Sequence, residues 1–134
     1  MGLRIDILSE HGLIAAVLSG RIAVADVQAT IRQVARHPDF VWSLDRIAFI
    51  DDRTDLTDIN LLGLFRIKDE IIETYFDGRP PAASELPAYR IALVCGPSPN
   101  EGILKLFGTI WDSEPSPYVA IRTFNATAEA LAWL

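Results

Sequence analysis

RIAFIDDRTDLTDINLLGLFRIKDEIIETYF, residues 46 to 76, holds three changes of pattern in one stretch. Its first five residues are an almost continuous apolar run, the mark of a strand covered on both faces. Next come four aspartates and two threonines within residues 51 to 58. The remainder repeats apolar residues at helical spacing, and the predicted helix spans 58 to 77. Strand, polar turn, helix is half of a crossover unit, so the rest of the chain is read for further halves.

They are present. LRIDIL (3–8) alternates apolar with polar, as a half-exposed strand does, and LIAAVL (13–18) is continuously apolar, with SEHG between them as the turn of a hairpin. YRIALVC (89–95) and YVAIR (118–122) read as further central strands. Val24, Val27, Ile31 and Val34 form one helical stripe that stops before Pro38. Ile103, Phe107, Ile110 and Trp111 form another, opened by Ser98-Pro99-Asn100-Glu101, which has the form of a capping box with proline first in the helix. NATAEALAWL closes the chain as a short helix capped by Asn125, its terminal Trp133 and Leu134 docking on the core. This order predicts an α/β layer: a mixed, mostly parallel five-stranded sheet, about four helices, and an N-terminal hairpin at the edge. DGRPPAASELPA (77–88) and DSEPSP (112–117) are read as surface loops within a single domain spanning 1–134.

With 134 residues, one core is affordable, and 50% apolar against 22% charged residues is a globular composition. Cys95 is the one cysteine, which rules out an intrachain disulfide and suits a reducing, cytoplasmic setting. No apolar run approaches a membrane span, no leader pattern opens the chain, and Asp6 spoils a myristoylation motif. Net charge is −6, and the ten arginines and two lysines are scattered singly, so nucleic acid and anionic membrane surfaces are poor partners.

RHPDF after the first helix, a strand ending in DDR, RIALV in the fourth strand and the ending FNATAEALAWL together resemble the SpoIIAA-like (STAS/SEC14-related) bacterial proteins. The resemblance covers nearly the whole chain, and AEALAWL carries most of it. It implies the element order read above, a fold related to anti-sigma-factor antagonists, and a distant relation to apolar-ligand carriers of the SEC14 type. In the antagonists a phosphorylatable Ser or Thr follows an Asp at the start of the second helix. Here Asp58 is followed by Ile59 and Asn60, so the acceptor is missing at the matching position.

The polar cluster Asp51, Asp52, Thr54, Thr57 and Asp58 lies at the carboxyl end of a strand, where open α/β sheets bind ligands. Capping of the following helix by Asp55, Thr57 or Asp58 is the favoured reading, because free N–H groups at a helix start need short polar side chains whatever the function. A calcium loop fails on Arg53 and Leu56 at its third and sixth positions. A magnesium site on Asp51 and Asp52 stays open, though GPSPNEG lacks the spacing and lysine of a phosphate loop. Thr54 or Thr57 could stand in as phosphate acceptor. His11 and His37 have no nucleophile in a recognisable motif nearby and are read as surface residues, and Cys95 as inert. Neither a cofactor nor a metal is implied.

The helix is the more informative part. Its apolar residues cover well over half its circumference, more than one sheet face can hide. The surplus at Leu61, Leu64, Phe65, Ile72, Tyr75 and Phe76 must meet a neighbouring helix, a second copy of the chain, another protein, or an apolar small molecule. Lys68 interrupts this arc and is read as snorkelling, its stem along the surface and its head in water. The expected role is a non-catalytic interaction module acting as a homodimer through this helix. The alternative is a carrier of a lipid or other apolar small molecule, and a metal-dependent enzyme using Asp51 and Asp52 comes last.

Overall fold

The computed structural model describes residues 2–41, 43–78, 89–113 and 119–134. Strands β1 (Gly2–Leu8), β2 (Leu13–Ser19), β3 (Asp45–Ile50), β4 (Tyr89–Cys95) and β5 (Val119–Phe124) form one sheet in the order β1-β2-β3-β4-β5. β1 lies at the edge, antiparallel to β2; every other pair is parallel. Helices α1 (Val24–Ala35), α2 (Leu61–Phe76), α3 (Glu101–Asp112) and α4 (Thr127–Trp133) complete the predicted set. The two expected surface loops fall largely on 79–88 and 114–118, outside the described residues.

Strand order dictates the layering. Crossovers between parallel strands are right-handed, and here each advances the sheet in the same direction, so α1, α2 and α3 all land on one face. The main core lies beneath them, built on Ile22, Ile50, Leu64, Ile67, Tyr89 and Trp111. Among the described residues, only the seven-residue α4 covers the other face, over β4 and β5, where Trp133 and Leu134 pack around Ile47, Ala92 and Ala130. Full cover of the central strands on both faces is therefore an expectation that needs correction: β2 and β3 keep Ala15, Val17 and Phe49 half-exposed on the second face. A one-way strand order also has no reversal point, so the crevice that usually marks a ligand site in such sheets has nowhere to form.

α2 starts at Leu61, three residues later than expected, because Leu56 and Ile59 turn into the core before the helix begins. Its cap is Asn60, whose Oδ1 accepts from Gly63 N–H at 2.9 Å, and not Asp55, Thr57 or Asp58. Gly63 is required there: a Cβ would stand 2.6 Å from Val24 Cγ2 of α1. At the far end Asp77 takes the left-handed conformation (φ 50°), and Gly78 N–H returns to the Ile72 carbonyl at 3.1 Å. The expected caps of α3 and α4 also differ. Asn100 precedes α3 without capping it, Pro99 stays outside the helix, and Ala126, not Asn125, precedes α4.

Candidate functional site

The acidic loop is held by hydrogen bonds within itself and to Leu18, Arg21 and Asn100. Asp51 Oδ1 accepts from Arg53 N–H at 2.7 Å, and that bond, with one to Asp52, holds the Asp51 carboxyl below the usual range. Asp55 Oδ1 accepts from the Thr57 hydroxyl at 2.6 Å and the Thr57 N–H at 2.9 Å, which lowers its pKa in the same direction. Asp58 accepts from Arg21 through both carboxylate oxygens, at 2.6 and 2.9 Å. Hydrogen bonding to Arg21 depresses Asp58 and raises Arg21. Asp52 is exposed.

Thr54 differs from its neighbours in being buried. Its hydroxyl donates to the Leu18 carbonyl at 2.7 Å, at the end of β2. Its own carbonyl accepts from Asn100 Nδ2 at 2.8 Å, while Asn100 Oδ1 accepts from Leu56 N–H at 3.3 Å. Asn100 is itself buried, so it serves the loop as a replacement for backbone pairing. The cluster thus joins Thr57 to Asp55 and Asp58 to Arg21, but gathers no nucleophile, base and electrophile around one point. Among the described residues no group of three or more His, Cys, Asp and Glu is placed to hold a metal ion. His11 and His37 are exposed; Cys95 is buried, its thiol donating to the Gly96 carbonyl at 3.2 Å.

On α2 the predicted apolar surface divides. Leu64 is buried, Ile72, Tyr75 and Phe76 are half-buried in the main core, and only Leu61 (50%), Phe65 (44%) and the neighbouring Leu62 (58%) are exposed. The adjacent crossover helices absorb most of the surplus, with Tyr75 Oη donating to the Ile31 carbonyl of α1 at 3.1 Å. Lys68 does not snorkel. It is 8% exposed, with Nζ 5.3 Å from the centre of the Trp111 ring on α3, close enough for cation–π attraction.

What sequence reading missed lies beneath these helices. The sheet register sets Ile5, Ala16, Ala48 and Leu93 side by side across four strands. Two adjacent alanines in the middle of that row leave the helices above without side chains to meet. The result is a cavity of about 210 Å³ between the sheet and α1, α2 and α3. Ala48 retains accessible surface although it sits on the central strand under three helices, which only such a void supplies.

The lining is hydrocarbon except at Thr30, Tyr75 and Arg46. Thr30 and Tyr75 spend their hydroxyls on helix carbonyls, those of Asp26 and Ile31. Arg46 stacks its guanidinium 3.6 Å above the Tyr89 ring, with Tyr75 at 5.2 Å and Phe40 at 5.9 Å, and donates to the Leu44 carbonyl. Burial lowers its pKa and also pushes the Tyr75 phenol up to about 12. Paired alanines in neighbouring strands were the signal available, but reading it requires the register.

Comparison with family models, with curated proteins and with solved structures gives no match to this chain. No helix among the described residues is long and apolar enough to cross a membrane.

Proposed function

We propose that this chain is a non-catalytic binding protein that holds an apolar small molecule between its sheet and the three crossover helices. The cavity above Ala16 and Ala48 carries this reading. An apolar void of about 150 Å³ stays dry and admits a benzene-sized guest, and this one is larger. Left empty, it forgoes the packing contacts that an apolar occupant would supply. Membership of the SpoIIAA-like family belongs to the same proposal, since its SEC14-type relatives carry apolar ligands.

Native mass spectrometry of freshly purified protein is expected to reveal bound mass that organic extraction removes. Ala48→Leu, which fills the floor, should abolish that mass and raise the melting temperature of extracted protein by a few degrees. Protein that carries no extra mass, takes up no apolar compound on titration and gains nothing from Ala48→Leu would refute the reading.

Homodimerisation through α2 is a second reading, supported by the exposed trio Leu61, Leu62 and Phe65 at its first turns. It needs far less of the helix than the sequence suggests. Sedimentation of the unmodified chain as a monomer at micromolar concentration would remove it.

A further inference from the structure

β1 ends the sheet on one side: among the described residues its one strand partner is β2. Every other residue of such an edge strand turns its N–H and C=O away from that partner, and the row is a template for a further strand. Folded proteins commonly blunt the row with proline, lysine or a bulge. GLRIDIL has none of these, and its seven residues pair with β2 in unbroken register from Gly2 to Leu8. Its two charges, Arg4 and Asp6, are of opposite sign.

Two rows of side chains leave this strand. Leu3, Ile5 and Ile7 face the helices, half-buried along a cleft of about 280 Å³ that separates β1 from α1. Arg4 and Asp6 alternate with them, exposed on the opposite face. About Ile5 the strand is symmetric in size and opposite in charge: Leu3 balances Ile7, and Arg4 balances Asp6. An antiparallel copy turned about a two-fold axis at Ile5 therefore sets Arg4 opposite Asp6 of the second copy, twice. Moving the axis to Arg4 or to Asp6 would set that residue against itself, like charge on like.

We propose that β1 is a self-docking edge: two copies of this chain pair β1 with β1, antiparallel about Ile5, and join two five-stranded sheets into one. The pairing satisfies the outward backbone groups of both strands. On the helix side Ile5 meets Ile5 and Leu3 meets Ile7 of the second copy, beside the cleft that α1 leaves open; on the far side the charges select the register. The contact is isologous, so association closes at two copies. It uses a surface distinct from Leu61, Leu62 and Phe65 and is independent of what the cavity holds.

The test is sedimentation equilibrium of the full chain at micromolar concentration and low ionic strength, where surface charges are least screened. The unmodified chain should be a dimer. Arg4→Asp and Asp6→Arg, both changes at exposed positions, each set like charges opposite one another and should weaken the dimer roughly tenfold or more. Mixed in equal amounts, the two variants should recover the lost affinity as a heterodimer, and a chain carrying both changes should dimerise as the unmodified one does. Phe65→Glu should leave the dimer intact. A monomeric unmodified chain, single variants that dimerise unimpaired, or variants that fail to recover on mixing would overturn the inference. So would a dimer lost in Phe65→Glu and kept in both charge variants, which would place the contact on α2. None of these results touches the binding of an apolar molecule, which native mass spectrometry reads separately.

Discussion

Asn100 Nδ2 donates to the Thr54 carbonyl at 2.8 Å, a bond between residues 46 positions apart that fastens the acidic loop to the start of α3. The same side chain accepts from Leu56 N–H, so one buried amide satisfies the two backbone groups that flank the bridge between Asp55 and Arg21. Asn100→Ala should therefore leave a buried carbonyl and a buried N–H unpaired, at a cost of about 2–3 kcal/mol. Urea unfolding should show a lower midpoint with an unchanged slope. A loss under about 0.5 kcal/mol would mean that water already serves these groups.

Acid stability should depend on the loop. Asp51, Asp55 and Asp58 all have depressed pKa values in the folded chain, through hydrogen bonds from Arg53, Thr57 and Arg21 respectively. The unfolded chain binds protons at a higher pH than the folded one, so this contribution is complete above the ordinary aspartate value of about 3.9 and is lost as pH falls through the lower native values. Arg21→Gln should flatten the acid limb of a stability–pH curve and return Asp58, followed by NMR, toward its ordinary pKa. Added salt should weaken the wild-type effect, because the pair is exposed.

The alkaline limb has the opposite sign. Tyr75, raised to about 12 by burial, keeps its proton when folded at a pH where the unfolded chain has released it. Its contribution is full below about pH 10 and disappears as pH rises toward 12, amounting to about 2 kcal/mol. Ultraviolet titration should find Tyr75 among the tyrosines that resist ionisation until the chain unfolds. In Tyr75→Phe that resistant tyrosine should be absent, and the lost bond to Ile31 should cost about 1 kcal/mol at neutral pH.

Leu62→Glu and Phe65→Glu test the exposed turns of α2. Both side chains are largely in solvent, so unfolding free energy should move by no more than about 0.5 kcal/mol. If the chain self-associates through α2, analytical ultracentrifugation should show each variant shifted to monomer. Dimers that survive both charges would assign self-association to a different surface.

The chain spelled out its elements locally. Stripes such as Val24, Val27, Ile31 and Val34 are one face of a helix at 3.6 residues per turn, and runs such as RIAFI have no polar face to expose, so each had a single economical conformation. Three crossover helices between apolar strands then left a mostly parallel sheet as the consistent arrangement. Cap assignments failed where tertiary pull set the boundary: Leu56 and Ile59 are drawn into the core, which moves the start of α2 to Leu61 and hands the cap to Asn60. Lys68 is buried because Trp111 of α3 lies over it, a contact between residues 43 positions apart.

The cavity belongs wholly to the second category. Sequence by itself placed Ala15 and Ala16 in one apolar strand and Ala48 in another, with nothing local to say which of them would face the same way or stand side by side. Pairing β2 with β3 in one register, and no other, brings Ala16 beside Ala48 under the helices. A one-residue shift that set Val17 beside Ala48 would have put a larger side chain on the floor and narrowed the space, because side chains alternate along a strand. Register is chosen by burial summed over the whole sheet, so the void, and any molecule that fills it, is a property of the folded chain alone.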